Sequence, residues 1–295
     1  TIPCGVTDIG AEAFLNCSNL QSVTIPNGVT NIGERAFAYC NSLKNIKLPD
    51  SITSIGYDAF LDCNALDNEY WGVRYLGNGE NPFFALVGIV NRQATTVEIN
   101  AATKIICDFA FSNCGSLVSV TIPNGVRNIG AGAFKDCVKL ENVSIPSSVT
   151  KIGDYTFDNC SSLTSVTIGN GVARIGNYAF SDCGKLTSIT MPDSVISVGN
   201  GAFEYCSSIE SITLSNSVTS IGSGAFYGCE GLTSVIIPHS VTRIGFGIFN
   251  LCDNLSSVFF DGTKEEWLRV FSVKKVSEDG RIIKCSDGEV KYFFL

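Results

Sequence analysis

The chain has few charged residues and almost no histidine. Asp, Glu, Lys and Arg make up 16% of its 295 residues, and the net charge is −8. Binding to phosphate backbones needs clustered Lys and Arg, so this balance excludes a nucleic-acid partner. With His239 as the one histidine, a Ser-His-Asp or Cys-His catalytic arrangement could exist only around that residue. We expect a solvated turn side chain there, with a metal or catalytic role as the alternative.

Long apolar stretches are also missing. No run approaches the roughly 18–20 apolar residues that a membrane-spanning helix needs, and no basic amphipathic stretch suggests a membrane surface. The sequence therefore predicts no membrane span in this segment. Because the opening residues TIPCGVTDIG match VTIPNGVTNIG at positions 23–33, we expect the natural protein to continue upstream.

The chain has instead one phrase of 23 residues, repeated along most of its length. A copy at positions 125–146 reads GVRNIGAGAFKDCVKLENVSIP. A fixed period of 20–50 residues is typical of a solenoid, in which each unit buries its apolar side only against its neighbours. A Phe and a Cys mark each copy, at Phe14/Cys17, Phe37/Cys40, Phe60/Cys63, Phe111/Cys114, Phe134/Cys137, Phe157/Cys160, Phe180/Cys183, Phe203/Cys206, Phe226/Cys229 and Phe249/Cys252.

The first half of each phrase predicts two extended pieces joined by a turn. Residues 20–25 alternate towards their end between apolar and hydroxyl side chains, which is typical of a half-buried strand. Pro26 ends that strand, and Asn27-Gly28 turns the chain. Val29 and Ile32 then return to the core from a second, shorter extended piece.

The second half of each phrase predicts a short helical turn. Gly33 recurs in most copies, with Cys107 as the exception, and implies either a positive φ or a backbone contact that leaves no room for a Cβ. The apolar positions within 36–43 follow at intervals of one, three and three residues, which is typical of one face of a helix or 3₁₀ turn. The predicted fold class is α/β, a solenoid with a parallel sheet on one face, short helical turns on the other, and the Phe column inside.

Cysteine is frequent, but its placement does not resemble a disulfide framework. Ten of the thirteen cysteines occupy the repeat position, and only Cys4, Cys107 and Cys285 lie elsewhere. We expect free, buried, stacked thiols. Rungs about 5 Å apart would also bring neighbouring thiols within disulfide reach, so pairing is the alternative. A Cys/His zinc site lacks its paired CxxC spacings.

Two segments depart from the phrase. Residues 68–91 contain two apolar, aromatic-rich runs around the turn formers at 77–82, which predicts a hairpin in an irregular unit at about 64–96. Near the end, Thr263–Phe271 predicts a short amphipathic helix that begins with a Thr263/Glu266 capping box. Residues 281–294 predict a second hairpin. We expect a solenoid at 1–260 and a cap at 261–295, with Trp267, Val270 and Phe271 covering the last rung.

The phrase LxxVxIPxxVxxIGxxAFxxCxxL resembles the BspA-like class of leucine-rich repeats, found mainly in bacterial cell-surface and secreted proteins. The resemblance covers roughly residues 1–260. It implies a right-handed leucine-rich-repeat solenoid that lies outside the cell. It further implies adhesion or host-protein binding without known enzymatic activity, and it offers no catalytic residue to carry over.

The outward strand positions form the main candidate binding surface. They are small, hydroxylated and nearly uncharged, which suits a broad, weak ligand such as a glycan or an extended protein; the alternative is that they are only strand formers that tolerate solvent. The aromatic residues of the insert are the second candidate, unless they replace the missing Phe in the core. The candidate residues are Ser119, Thr121, Asn142, Ser144, Ser165, Thr167, Ser188, Thr190, Ser211 and Thr213 on the strands, and Tyr70, Trp71 and Tyr75 in the insert.

A column of polar residues two positions after Phe is the main candidate for chemistry. Asn113, Asp136, Asn159 and Asp182 could hold calcium or pair carboxylates for glycoside hydrolysis, but turn capping is the simpler interpretation. We predict a non-catalytic binding or adhesion domain for a host protein or glycan at the bacterial surface, with no cofactor and no metal. A carbohydrate-active solenoid enzyme and a structural spacer are the alternatives.

Overall fold

A computed structural model describes residues 2–66, 69–77, 80–270 and 281–292. Each phrase forms one turn of a coil, or rung, with one short strand and one longer strand. The short strands hold two residues each: β1 (Asp8–Ile9), β3 (Asn31–Ile32), β5 (Ser54–Ile55), β10 (Ile105–Ile106), β12 (Asn128–Ile129), β14 (Lys151–Ile152), β16 (Arg174–Ile175), β18 (Ser197–Val198), β20 (Ser220–Ile221) and β22 (Arg243–Ile244). The longer strands are β2 (Ser22–Thr24), β4 (Asn45–Lys47), β9 (Thr96–Glu98), β11 (Ser119–Thr121), β13 (Asn142–Ile145), β15 (Ser165–Ile168), β17 (Ser188–Thr190), β19 (Ser211–Thr213), β21 (Ser234–Pro238) and β23 (Ser257–Asp261).

The longer strands build a parallel face, as the alternating pattern predicts. Pairing is in register from rung to rung, so that Ser119 lies beside Asn142 and Asn142 beside Ser165. The paired groups are β2-β4, β9-β11-β13-β15 and β17-β19-β21-β23. The short strands form a second set of parallel ladders, β1-β3-β5 and β10 through to β22, and β8 (Ala85–Ile89) of the insert pairs with β10. Strands therefore form two faces of each rung.

The helical turn predicted for the second half of each phrase is wrong, and the fold is a β-solenoid with very little helix. The residues two before and two after the repeat Phe have positive φ, as at Tyr155 (56°) and Asn159 (56°) around Phe157. This conformation turns the backbone N–H groups of one rung towards the next. We call a rung regular where another copy of the phrase follows it directly. In each regular rung, three such N–H groups donate to the following rung, as Phe157 does to the Ala179 carbonyl at 2.8 Å. We call this third set of bonds the corner ladder.

The Phe column lies inside the coil, as predicted. Phe134, Phe157 and Phe180 are fully buried. Neighbouring rings stack with centroids 4.9–5.8 Å apart and planes within 15° of parallel. Full burial of a Phe contributes on the order of 1.5–3 kcal/mol, so the column is a main source of stability along the coil.

The repeat glycine marks a close approach of two backbones. A Cβ on Gly199 would stand 2.5 Å from the carbonyl carbon of Gly176, and Gly199 is not among the residues with positive φ. The sequence allowed either a positive φ or a close backbone contact at this position. The structure shows the close contact, which leaves no room for a Cβ. Cys107 is the exception because it follows the insert, where β8 replaces a regular rung.

The insert forms the predicted hairpin and a second, smaller one. Strands β7 (Val73–Leu76) and β8 (Ala85–Ile89) pair antiparallel, and β6 (Glu69–Tyr70) pairs antiparallel with β7. Part of the predicted turn, at 78–79, lies outside the described residues. The buried apolar side chains form two clusters, one mainly from residues 9–63 and the other from residue 73 to residue 290. The insert is where one cluster gives way to the other.

The C-terminal segment contains the predicted helix and hairpin. Helix α1 (Lys264–Val270) begins with the capping box, since the Thr263 N–H donates to Glu266 Oε2 at 2.7 Å and the Glu266 N–H donates to Thr263 Oγ1 at 3.2 Å. Trp267 is fully buried against Phe260, whereas Phe271 lies outside the described residues. The hairpin pairs β24 (Arg281–Cys285) with β25 (Gly288–Tyr292), and β24 extends the face from β23. Within the described residues, no helix is both long enough and apolar enough to cross a membrane.

Candidate binding surface

The predicted strand positions lie together on one open face. We call these ten residues the hydroxyl face, and all of them are exposed. In-register pairing aligns them in two columns, with Ser144 beside Thr167 and Thr190 beside Thr213. The members are Ser119, Thr121, Asn142, Ser144, Ser165, Thr167, Ser188, Thr190, Ser211 and Thr213.

The hydroxyl face offers hydrogen-bonding groups and no charge. Ser165 Oγ donates to Asn142 Oδ1 at 2.5 Å, while most of the other hydroxyl groups face solvent. The face consists of two paired groups, because β15 and β17 have no backbone pairing within the described residues. Beyond the face, Ile236 is 62% exposed, so the terminal hairpin does not cover it. The arrangement presents hydrogen-bonding side chains to solvent over successive rungs.

The insert places two of its three candidate aromatic residues on the surface. Trp71 is 75% exposed and Tyr70 is 38% exposed. Their rings stack with centroids 5.0 Å apart. Trp71 and Gly72 connect β6 to β7, and both have positive φ (51° and 77°), as a type I′ turn requires. The exposure of this large aromatic side chain at a tight turn makes Trp71 a candidate contact residue.

Tyr75 is not part of that surface. It is 1% exposed, and its hydroxyl oxygen accepts the Asn100 N–H at 3.1 Å. Burial raises the pKa of Tyr75, although the bond from Asn100 opposes the shift. The alternation along β7 points Tyr75 inwards, where it packs against Phe83. The prediction of Tyr75 as a binding residue is therefore corrected to a core role.

The polar column two residues after Phe owes its composition to backbone conformation. Asn113, Asp136, Asn159 and Asp182 all have φ between 56° and 61°, a region that Asn, Asp and Gly tolerate best. The expected capping of nearby N–H groups is thus replaced by a requirement for left-handed backbone. Asn159 Nδ2 also donates to Asp136 Oδ1 at 2.9 Å. Among the described residues, no group of three or more His, Cys, Asp or Glu side chains could hold a metal ion.

A ladder of side chains three positions before Phe has no counterpart among the sequence predictions. Asp154 Oδ1 accepts the Asn177 N–H at 2.8 Å, and Asn177 Oδ1 accepts the Asn200 N–H at 2.9 Å. Asn200 and Ser223 continue this ladder to the next two rungs. The sequence does contain a signal for this ladder, because a small polar residue follows the repeat glycine in several copies.

The cysteines are all free, as predicted, and most are buried. Each thiol in the regular rungs donates to the carbonyl of the Phe in the preceding rung, as Cys183 Sγ does to Phe157 O at 3.3 Å. Burial raises the pKa of Cys63 to about 11, and burial also raises the pKa of Cys160 well above its usual value. A thiol that stays protonated is a poor nucleophile, so the column is structural.

His239 lies on the surface as expected. Its side chain is mostly exposed, and Nδ1 is 3.7 Å from Asp261 Oδ2. Exposed ion pairs of this kind contribute little to stability.

Comparison with known proteins identifies the repeat. A family model for the BspA type leucine rich repeat region matches residues 1–76, 90–208 and 173–271, with six copies. No curated protein matches the chain. The family description mentions no enzymatic activity.

Three similar solved structures are leucine-rich proteins from bacteria. A leucine-rich repeat protein from Eubacterium ventriosum is 23% identical with a TM-score of 0.52, and the match covers 97% of this chain and 86% of that one. This likeness supports the repeat fold. A leucine rich cell surface protein from Faecalibacterium prausnitzii is 28% identical with a TM-score of 0.38, covering 92% and 87%. A leucine-rich repeat protein from Bacteroides ovatus is 24% identical with a TM-score of 0.39, covering 95% and 87%.

Proposed function

This chain belongs to the BspA-type leucine-rich repeat family, and we propose that it is a non-catalytic binding domain that adheres to a host protein or glycan through the hydroxyl face. The observation that carries the proposal is the exposure of all ten face residues, aligned in register within each of the two paired groups of strands. An uncharged array of hydroxyl groups suits weak contacts repeated over a long surface.

The partner that fits this face is extended. The face lacks the Trp, Tyr and Arg residues that dominate compact, tight interfaces, so affinity must come from many similar contacts. A glycan chain or an extended protein segment can make the same hydrogen bonds at successive rungs. Trp71 and Tyr70 lie on a different part of the coil and, in this proposal, add a local aromatic contact.

Location and organisation form part of the same proposal. We place the domain outside the cell at the bacterial surface, as the family resemblance implies. Residues 1–260 act as a right-handed solenoid with the irregular unit at about 64–96. Residues 261–295 act as its cap. The burial of Trp267 against the last rung supports the capping role.

The hydroxyl face is tested by a single bulky charge at its centre. The intact chain is screened against a glycan array and a panel of host-matrix proteins, and the best ligand is carried into titrations. Thr167→Arg is expected to weaken that binding about tenfold or more, because the side chain covers neighbouring rungs. Thr150→Arg, an exposed substitution away from the face, is the matched control.

The outcomes separate the classes of function. Equal affinities for the two Arg variants would contradict binding through this face. Turnover of a polysaccharide by the chain would favour an enzyme. A lack of binding to every ligand would favour a spacer. Trp71→Ala, measured in the same titrations, reports on the aromatic contact separately.

A further inference from the structure

A cleft, here called the junction cleft, lies where the rung of Phe60 meets the rung of Phe111. Its volume is about 490 Å³, within the range of roughly 300–1,000 Å³ typical of small-molecule sites. The two rungs touch at one end, where the Asp108 N–H donates to the Ile55 carbonyl at 3.2 Å. The rings of Tyr57 and Phe109 meet edge to face beside that contact, with centroids 4.9 Å apart. The cleft is therefore held open by fixed contacts.

One wall of the junction cleft is a row of unused hydrogen-bond donors. In the regular rungs, the N–H groups at Phe and two residues to either side donate to the next rung at 2.7–3.1 Å. In the rung of Phe60 the corresponding groups belong to Asp58, Phe60 and Asp62, and they donate to no carbonyl in the described part of the chain. Asp58 and Asp62 keep the left-handed conformation of the other rungs, so the row is intact and faces the cleft.

The opposite wall supplies acceptors. The carbonyl of Ala110 holds the position that accepts such a bond in a regular rung, and no N–H group among the described residues donates to it. The carbonyl of Ser112, the next in the row, accepts instead from Arg92 Nη1 at 2.5 Å. The two walls thus offer donors and acceptors that elsewhere bind each other.

Side chains of both charges line the same cleft. Arg74 and Arg92 are present with Asp58, Asp62 and Asp136, and Arg74 makes no ion pair within the described residues. The carboxylates disfavour an anionic ligand, and the guanidinium and N–H groups disfavour a cationic one. A neutral group that both donates and accepts hydrogen bonds satisfies both walls.

We propose that the junction cleft is a binding site for a neutral sugar, one or two rings in length, that is separate from the hydroxyl face. Each sugar hydroxyl accepts from the backbone N–H row or from Arg74, and it donates to a carboxylate or to the Ala110 carbonyl. The ring's apolar C–H surface packs on Tyr57, which is partly exposed. This inference goes beyond the proposed function, which concerns the outer face alone.

The test uses a variant that fills the cleft without changing either wall. A Cβ on Gly88 would have only the Ala110 carbonyl oxygen nearby, at 4.0 Å, and Gly88 lines the cleft. Gly88→Phe therefore projects a ring into it. Gly184→Phe is the control, because a Cβ there meets only Ser207 Oγ at 3.6 Å in a regular rung. Saturation-transfer NMR of the full chain with methyl glycosides and disaccharides of glucose, galactose, mannose and N-acetylglucosamine measures binding.

We expect at least one of these sugars to bind the intact chain and the Gly184→Phe variant equally. Gly88→Phe should abolish the signal, and Arg74→Ala should weaken binding about tenfold through loss of a charged hydrogen bond. Unchanged circular dichroism of Gly88→Phe confirms that the fold is retained. If the circular dichroism of Gly88→Phe is altered, the effect of Arg74→Ala on sugar binding tests the proposal instead.

Three outcomes would overturn the inference. They are no sugar binding to the intact chain, binding that survives both Gly88→Phe and Arg74→Ala, and binding of extended peptides in place of sugars. The Thr167→Arg variant in the same experiment keeps the two proposals distinct. It should leave sugar binding in the cleft unchanged while weakening the partner of the hydroxyl face.

Discussion

At the residue scale, the Phe and the Cys of the phrase act together. The thiol of each regular rung donates to the carbonyl of the Phe in the rung before, as Cys206 does to Phe180 at 3.0 Å. In most rungs the same carbonyl also accepts the backbone N–H of the Cys three residues later, as Phe157 does from Cys160 at 3.2 Å, so the buried thiol adds a second, weak donor to it. The sequence predicted both columns and the free thiols. It could not predict this bond, because the inward turn of the carbonyl depends on the left-handed residues beside it.

The first prediction concerns the Phe column. Phe157→Ala is expected to lower the free energy of unfolding by about 3–5 kcal/mol, because it leaves a cavity between two stacked rings. Urea unfolding followed by circular dichroism measures the loss. Thr167→Ala on the exposed face is the control and should change stability by less than about 0.5 kcal/mol. A loss below about 1 kcal/mol for Phe157→Ala would contradict an interior column.

The second prediction concerns alkaline pH. The pKa of Cys63 is raised from 9.0 to about 11 in the folded chain, so above pH 9 the unfolded state binds fewer protons than the folded state. The free energy of unfolding must therefore fall as pH rises from 9, and this term levels off near pH 11. The measurement is urea unfolding in reducing buffer across that range. Cys63→Ala should show a shallower fall, and identical slopes would refute the linkage.

At the scale of elements, the corner of the rung is the part that the sequence misidentified. Apolar residues at intervals of one, three and three fit a helical face, but they also fit a turn in which left-handed residues flank the Phe. The signal that separates the two is the recurrence of Gly, Asn and Asp two residues before or after the Phe. That signal is incomplete, because Tyr155, Tyr178 and Leu251 adopt the same conformation. At Tyr155 and Tyr178, bonds to the next rung, which no local pattern reports, maintain this conformation.

The third prediction distinguishes these two corner structures. In a helix, Asn159→Gly would be less stable than Asn159→Ala by about 1 kcal/mol. At the observed φ of 56°, Asn159→Gly should instead be the more stable variant by about 1–2 kcal/mol, because the Cβ of Ala clashes with the backbone in the left-handed conformation. Both variants lose the side-chain bond to Asp136, so the comparison isolates the backbone. Thermal unfolding of the two variants gives their order of stability. A higher stability of Asn159→Ala than of Asn159→Gly would restore the helical interpretation.

At the scale of the whole molecule, the insert divides the apolar core in two. Three rungs marked by Phe precede it and seven follow it, and the two clusters of buried side chains are distinct. The 51-residue interval between Phe60 and Phe111 predicted an interruption of the repeat at this place, but not a division of the core. It could not show that the interruption leaves a cleft, because that depends on how β7 and β8 enter the stack.

The fourth prediction follows from this division. In a stack whose stability comes from neighbouring rungs, the shorter segment should open first. Hydrogen exchange in increasing urea is expected to release the amide of Ile32 at lower concentration than that of Ile175, both of which lie in short strands. Release of both amides at one concentration would mean that the insert transmits stability across the junction.

The corner ladder gives one edge of the coil an electrical direction. Its N–H groups all point from earlier rungs towards later ones, so their dipoles add along the coil axis as they do in an α-helix. The sense is opposite to that of a helix, with the positive pole towards the C-terminal end and the negative pole at the first rung. N–H groups elsewhere in the rung point the other way, as Gly176 does to the Ile152 carbonyl at 3.0 Å, so the two directions oppose each other across the coil and the polarity of the corner acts mainly on charged groups placed beside it.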